Sequence, residues 1–280
     1  IFPMTDNPEH QQLVEKIASL FDLVADVYDN PSQRFFSFCA DRLIHKIQPY
    51  QGHKLLDIAT GTGAVAIPAA QAVGPSGQIH AIDLSANMLE QAEKNIKKMQ
   101  LTNIDLHEMN AQLLEFRAQY FDIITCSFGL FFLPDMLAGL KEWFRVLKPS
   151  GKLMFSSFSP NAFTPLNEIF IEHLNRYDVK TEMLRWQKLS DKEECLSLLE
   201  SAGFENTNVD TEQMGYHLSD INDWWEINKS TGYRAFIEQI PIQSLGKFRT
   251  DYLKDIEKHM TDKGLWLNIE THFCSGIRPE

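Results

Sequence analysis

A doubly wound α/β sheet is the fold this sequence predicts, and three observations predict it. From residue 54 onward, apolar runs of strand length alternate with amphipathic stretches of helical length. A glycine-rich turn, "TGTG" at 60–63, joins the first such run to the first such helix. A second run, "QIHAID", ends on an acid, Asp83, twenty residues after Gly63. Strands separated by helical crossovers close into a mainly parallel sheet with helices on both faces.

Two amphipathic helices precede the sheet. Helical spacing joins Leu13, Ile17, Leu20, Phe21 and Val24 over 13–28, and Phe35, Phe38, Leu43 and Ile47 over 33–48. "KLLDIA" is the first strand and 64–73 the first crossover helix, with Pro68 early enough to be tolerated. "QIHAID" follows, and Ser85 is placed to cap a helix carrying Met88, Leu89, Ala92, Ile96 and Met99. "NIDLHE", "FDIITCSF" and "KLMFSSF" read as three more strands, with a helix over 134–147 before the last. A helix over 190–202 ends at Gly203, and a polar strand covers 205–213. Leu245, Phe248, Tyr252, Ile256 and Met260 mark a long helix. "LWLNIETHF" alternates, with Leu265, Leu267 and Ile269 on one face, and reads as a terminal strand of the same sheet. The expected organisation is one domain: a helical cap over 1–50, a core over 51–160 continued by 161–213, a helical insertion over 214–264 and the last strand over 265–280.

The 280 residues carry a formal net charge of −12, with 44% hydrophobic side chains, enough for one large embellished domain. The acidic balance, without a basic stripe, argues against nucleic-acid binding. Cys39, Cys126, Cys195 and Cys274 are scattered without CxxC spacing and read as buried free thiols of a reducing compartment. No histidine has metal-ligand spacing with cysteine or another histidine, so no metal is expected. Neither a signal peptide nor a membrane span is visible, which makes a cytoplasmic setting the expectation.

The glycine turn admits two ligands. "GTGAVA" at 61–66 fits GxGxxA, and Asp83 lies where a dinucleotide fingerprint places its ribose-binding acid. Asp57, four residues before Gly61, speaks against a dinucleotide, because a carboxylate there would repel a pyrophosphate over the turn. It suits a ligand with a cationic end. S-adenosylmethionine has an ammonium and a sulfonium for Asp57, directly or through water, and ribose hydroxyls for Asp83.

On these residues the chain resembles the class I S-adenosylmethionine-dependent methyltransferases. "DIATGTG" matches the family's first motif with Ala59 in place of its first glycine, and "AIDLSANMLEQA" matches the second-strand acid and its helix. "FDIITCSFGLFFLPD" and "FRVLKPSGKLMFSSF" are similar to the fourth strand with its loop and to the helix, turn and fifth strand. With "YDNPSQRFF", the Ala59 version is most similar to the ubiquinone/menaquinone C-methyltransferase branch of small-molecule enzymes. The resemblance implies a seven-stranded, Rossmann-like mixed sheet of order 3-2-1-4-5-7-6, its last strand antiparallel, with the N-terminal helices and the insertion as a lid. It implies cofactor contacts from Asp57, Ala59, Thr60, Gly61, Thr62, Gly63, Asp83, Leu84, Met88 and Ser127, and from Tyr28 near the methionine end. Where the family commonly has Asp-Ala after the third strand, this chain has Asn110 and Ala111. The Asn110 carbonyl could accept the adenine amino hydrogen bond in its place.

Ligands of doubly wound sheets bind outside the carboxyl ends of the strands. Ser127, Phe128, Phe131 and Phe132 should therefore line the mouth, with Trp224 and Trp225 as an aromatic wall and Arg234 on an anionic group of the substrate or paired with Glu238. Tyr28, Tyr216 and His217 are candidate general bases, should the acceptor need one. The expected reaction is methyl transfer from S-adenosylmethionine, leaving S-adenosylhomocysteine, to a small molecule, for which an aromatic or quinone-like acceptor fits. Three rivals stand beside it, one of them a cofactor-binding protein without catalysis, which would keep the turn under a lid that lacks an open acceptor pocket. An NAD-dependent oxidoreductase would share Asp83 but leave Asp57 unexplained, and a protein-modifying methyltransferase would need an open groove. The sequence leaves oligomeric state open.

Overall fold

A computed structural model of the chain describes residues 7–179, 181 and 185–280. Helix α1 (Pro8–Val24) is capped by Asn7 and runs into a 3-10 turn over Ala25–Val27. It starts earlier and ends sooner than the 13–28 spacing suggests. A second 3-10 turn, Pro31–Gln33, leads into α2 (Phe35–Ile47). The alternating region follows: β1 (Lys54–Ile58), α3 (Ala66–Val73), β2 (Gln78–Asp83), α4 (Ala86–Lys98), β3 (Ile104–Glu108), β4 (Phe121–Ser127), α5 (Met136–Val146) and β5 (Leu147–Phe158). Ser85 caps α4 as expected, its hydroxyl accepting from the Met88 N–H at 3.0 Å.

Beyond β5 come α6 (Leu166–Asn175), α7 (Lys192–Ser201), β6 (Glu205–Gln213), β7 (Tyr216–Leu218), α8 (Ile221–Ser230), α9 (Arg234–Ile237), α10 (Ile242–Glu257), β8 (Met260–Thr261), β9 (Gly264–Leu267) and β10 (Glu270–Ile277). The main sheet has seven strands in the order β3-β2-β1-β4-β5-β10-β6. Counted within the sheet that is 3-2-1-4-5-7-6, and β10 runs antiparallel to both neighbours. Leu55, Leu56, Ile58, Ile79, Ile82 and Ile124 of its centre are fully buried, as strands covered on both faces must be.

One strand assignment needs correction. "LWLNIETHF" is two strands: Leu265 and Leu267 belong to β9 of a separate three-stranded sheet, β7-β9-β8, and the seventh strand of the main sheet starts at Glu270. Leu265, Leu267 and Ile269 are all fully buried, so one apolar rhythm crosses the break between two sheets. Met260, read as the end of the long helix, lies in β8.

Candidate functional site

At the carboxyl end of β1 the chain turns through residues with positive φ: Ala59 at 53°, Gly61 at 54° and Gly63 at 91°. Ala59, where a glycine would be free of strain, holds a left-handed conformation that disfavours any side chain. The turn is clipped to the neighbouring strand, since the Thr60 N–H donates to the Ile82 carbonyl at 3.0 Å and the Gly61 N–H to Asp83 Oδ2 at 2.8 Å. Asp83 Oδ1 accepts from the Ser85 N–H at 3.0 Å. Burial pushes the Asp83 carboxyl above the ordinary range.

Asp57 faces into the core. It is 1% exposed, and its oxygens accept from the Thr60 hydroxyl at 2.6 Å and the Thr125 hydroxyl at 2.8 Å. Burial raises its carboxyl to about 7 against those two hydrogen bonds. It holds the turn from beneath and does not line the cavity above it, so its side chain is not placed for the expected direct contact. Thr60, Thr62 and Gly63 also lie behind the wall. The Thr62 hydroxyl donates to Asp29 at 2.6 Å, and Gly63 packs against Ile67.

Above the turn opens a cavity of about 960 Å³. One part is walled by Tyr28, Ala59, Gly61, Asp83, Leu84 and Met88, with Asn110, Ala111 and Ser127 beside them. Asn110 is 3% exposed. Its Oδ1 accepts from the Gln112 N–H at 2.9 Å, while its Nδ2 is buried without a partner. The Asn110 carbonyl thus holds its own loop and keeps a second lone pair. These residues fit S-adenosylmethionine: an acid at the end of β2, a backbone turn open to close approach, and an unsatisfied donor on the wall.

Much of the rest of the cavity is aromatic, with Lys16, Arg185, Lys188 and Glu238 among its other lining residues. Phe128, Phe131 and Phe132 are there as expected, joined by Phe35, Phe36, Phe158, Phe163, Trp186, Tyr233 and Phe236, which sequence reasoning did not assign to the site. Phe128 and Phe163 have φ of 54° and 63°, outliers for bulky side chains. Phe128 is held there by stacking on Phe158 at 4.1 Å and by its N–H donating to Ser156. Strain of this kind, worth ~1–3 kcal/mol per residue, persists only where surrounding contacts over-determine it.

Five candidate side chains lie elsewhere, Trp225 in the core and Arg234 in the second of its two expected positions. Trp224 is fully buried, its indole N–H donating to the Tyr252 hydroxyl between α8 and α10. Arg234 pairs with Glu238 one helical turn on, and it is Tyr233 and Phe236 of that segment that reach the cavity. His217 packs on Trp266 in the small sheet, ring centroids 5.0 Å apart. Tyr216 donates to the Ser32 carbonyl at 2.6 Å and lies under the Arg34 guanidinium. Of the candidate bases only Tyr28 lines the cavity. Burial and the Asp83 and Asp29 carboxylates push its phenol far up, so it stays protonated at neutral pH.

The walls over the cavity are docked by polar contacts. On α1 and the turn after it, Asp22 accepts from the Ser85 hydroxyl at 2.6 Å, Asp26 from Gln91 at 2.9 Å, and Asp29 from Asn95 at 2.8 Å. Helix α8 meets the Pro31–Gln33 turn, with Ser32 donating to Asp223 at 2.8 Å and Ser230 to Gln33 at 2.6 Å. All four cysteines are free and buried. Among the described residues no cluster could hold a metal ion, and no helix is long and apolar enough to cross a membrane.

Residues 5–219 match the model of the ubiE/COQ5 methyltransferase family. The chain is 31% identical over 215 residues to aklanonic acid methyltransferase DauC of Streptomyces sp. (strain C5), covering 72% of this chain and 97% of that protein. It is 31% identical over 219 residues to the ubiquinone/menaquinone biosynthesis C-methyltransferase UbiE of Cronobacter sakazakii, covering 71% and 86%. The solved structure of the [4+2]-cyclase SpnF is similar with a TM-score of 0.62 at 17% identity, over 95% of this chain and 96% of that one. Likeness at that identity speaks to the fold alone.

Proposed function

The chain belongs to the ubiE/COQ5 methyltransferase family and is an S-adenosylmethionine-dependent methyltransferase, and on that premise we propose that its acceptor is an electron-rich, hydroxylated aromatic ring of the quinol kind, methylated on a ring carbon. The carrying observation is the aromatic half of the cavity, where Phe128, Phe158, Phe163 and Trp186 surround space beyond the Asp83 end. Flat rings stack or meet edge-on with such walls at a gain of ~0.5–1.5 kcal/mol per pair.

When bound, S-adenosylmethionine supplies a methyl group already activated by its sulfonium. Asp83 takes the ribose hydroxyls, Gly61 and Tyr28 border the methionine end, and Leu84, Met88, Asn110 and Ala111 border the base. The aromatic wall fixes the angle of the acceptor ring, and alignment of this kind supplies several kcal/mol of the barrier. The placement of the three candidate bases favours an acceptor that brings its own electron push. A ring carbon activated by a neighbouring hydroxyl does so, and the proton it sheds passes to solvent when the lid reopens after the transfer.

The helices within 7–50 and the insertion over 214–264 act in this reading as one lid that keeps water from the transfer. Four buried free thiols fit a reducing, cytoplasmic setting, and the net charge of −12 fits a small acceptor better than a nucleic acid.

The test incubates the chain with S-adenosylmethionine and either a reduced quinone ring or an aliphatic amine of similar size, and locates the added methyl by mass spectrometry and NMR. A methyl on a ring carbon of the quinol is expected. Transfer to the amine alone would overturn the reading.

A further inference from the structure

The charge on the cavity wall runs against that of the molecule. The chain has a formal net charge of −12, yet beyond the cofactor end, marked by Asp83, the charged residues of the wall are Lys16, Arg185, Lys188 and Glu238. Glu238 is paired with Arg234. Lys16 and Lys188 have no ion pair among the described residues, whereas Lys46, Lys148, Lys229 and Lys258 each meet a carboxylate. The segment that carries two of the three cations is held firmly. Arg185–Leu189 is a 3-10 turn, in which side chains three residues apart lie one above the other, so Arg185 and Lys188 share a face. Behind that face the Leu189 carbonyl accepts from the Ser157 hydroxyl of β5 at 2.6 Å, and the Ser190 carbonyl from His272 Nε2 of β10 at 2.9 Å. Trp186, between the two cations in sequence, packs on Phe158 and Phe163 with ring centroids 6.0 Å away. The pair therefore stands at the aromatic part of the cavity, and Lys16 reaches the same space from α1.

We propose that the acceptor ring carries a carboxylate, and that Arg185, Lys188 and Lys16 select this acidic ring over a neutral one of the same shape. The proposal rests on the aromatic-acceptor reading above and narrows its substrate class. A guanidinium offers a carboxylate a planar fork of N–H donors, and the two ammonium groups add point charges beside it. Lys16 and Lys188 are exposed, so an anion between them keeps part of its water while the ring enters the apolar space. The same exposure keeps each ion pair modest in energy, so its main effect is selection and direction. With its charged edge held at these cations, the ring can present only its far edge to the methyl donor, an alignment that needs no general base.

The experiment is calorimetric titration of the full chain, loaded with S-adenosylhomocysteine, with 3-(2-naphthyl)propionate and with the matching propanamide. No transfer is possible from the spent cofactor, so the ratio of the two dissociation constants reads charge selection alone. The carboxylate should bind about three- to tenfold more tightly at low salt, and the ratio should fall toward one at about 0.5 M salt. Lys188→Gln should at least halve the ratio, and Lys16→Gln added to it should bring the ratio close to one. Melting of each variant checks that it is folded, and the wild-type salt series stands without them. Equal affinities in the wild type would overturn the proposal, as would a ratio that the double variant leaves unchanged. So would a double variant that loses affinity for S-adenosylhomocysteine and keeps the ratio, since the cations would then serve the cofactor. Turnover of the 1,4-dihydroxy forms of the same two compounds with S-adenosylmethionine tests the underlying reading separately. A carboxylate preference in binding without ring methylation would support the charge selection and overturn the ring-carbon acceptor.

Discussion

Asp57 sits one residue before the end of β1 with no face toward water, and its charge is a property of the folded state. Its carboxyl, raised to about 7 by burial, binds a proton in the folded chain where the unfolded chain has already lost it. Its contribution to stability is therefore complete below about pH 4, declines as pH rises and is gone near 7. Urea melts between those values should show the wild-type midpoint falling relative to that of Asp57→Asn. A cation bound above the turn favours the ionised form, so S-adenosylmethionine should bind more tightly at pH 8 than at pH 6, by a margin that Asp57→Asn removes. Calorimetry at the two pH values checks this. A second residue-scale prediction concerns Gly129. A Cβ built there would stand 2.6 Å from Ala59 Cβ and 2.8 Å from Cys126 Sγ. Neither neighbour is the loose end of a long side chain. Gly129→Ala should therefore cost about 1–3 kcal/mol in urea melts, and adding Ala59→Gly should return part of it by removing one of the two clashes.

At the scale of elements, α1 is held over the cofactor end by Asp22, Asp26 and Asp29 on polar groups of α4 and the glycine turn. Asp22 has the strongest position, beside the N-terminus of α4, where negative charge is favoured. Asp22→Ala should weaken S-adenosylhomocysteine binding by roughly three- to tenfold. Hydrogen exchange should quicken over Pro8–Val24 and stay unchanged in β1 and β4. Local chemistry of this order was legible in the sequence: Ser85 announces the start of α4, and the strand–helix alternation announces the parallel sheet, because each signal is contained in its own element. What covers an element is not. The alternation of Leu265, Leu267 and Ile269 marks buried positions correctly, but nothing in the spacing says that a different sheet buries the first two. Trp224 and Tyr233 look equally suited to a wall, and only the packing of α8 on α10 turns the first inward and leaves the second at the cavity. Asp57 reads from the sequence as an acid at the turn, yet its two hydroxyl partners come from Thr60 and from the separate strand β4.

Over the whole molecule, two walls of the cavity come from distant parts of the chain, and one place where they meet is the short segment Pro31–Gln33. Gln33, 3% exposed, accepts from the Ser230 hydroxyl of α8 and donates to the Tyr28 carbonyl beside the glycine turn. A side chain so placed links the acceptor wall to the cofactor wall, and its loss should be felt in cofactor affinity although it does not line the cavity. Ligand held at a hundredfold excess over its dissociation constant stabilises a folded chain by about 2.7 kcal/mol. For a chain of this size that corresponds to a rise in melting temperature of roughly 5–10 °C. Wild-type protein with S-adenosylmethionine should show a shift in that range, and NAD should give none. If removing the link lowers affinity tenfold, about 1.4 kcal/mol of the stabilisation goes with it. At the same ligand concentration, Gln33→Ala should then keep only about half of the wild-type shift. A full shift in Gln33→Ala would mean that the two walls hold independently, and that the Pro31–Gln33 turn joins them in sequence without coupling them in energy.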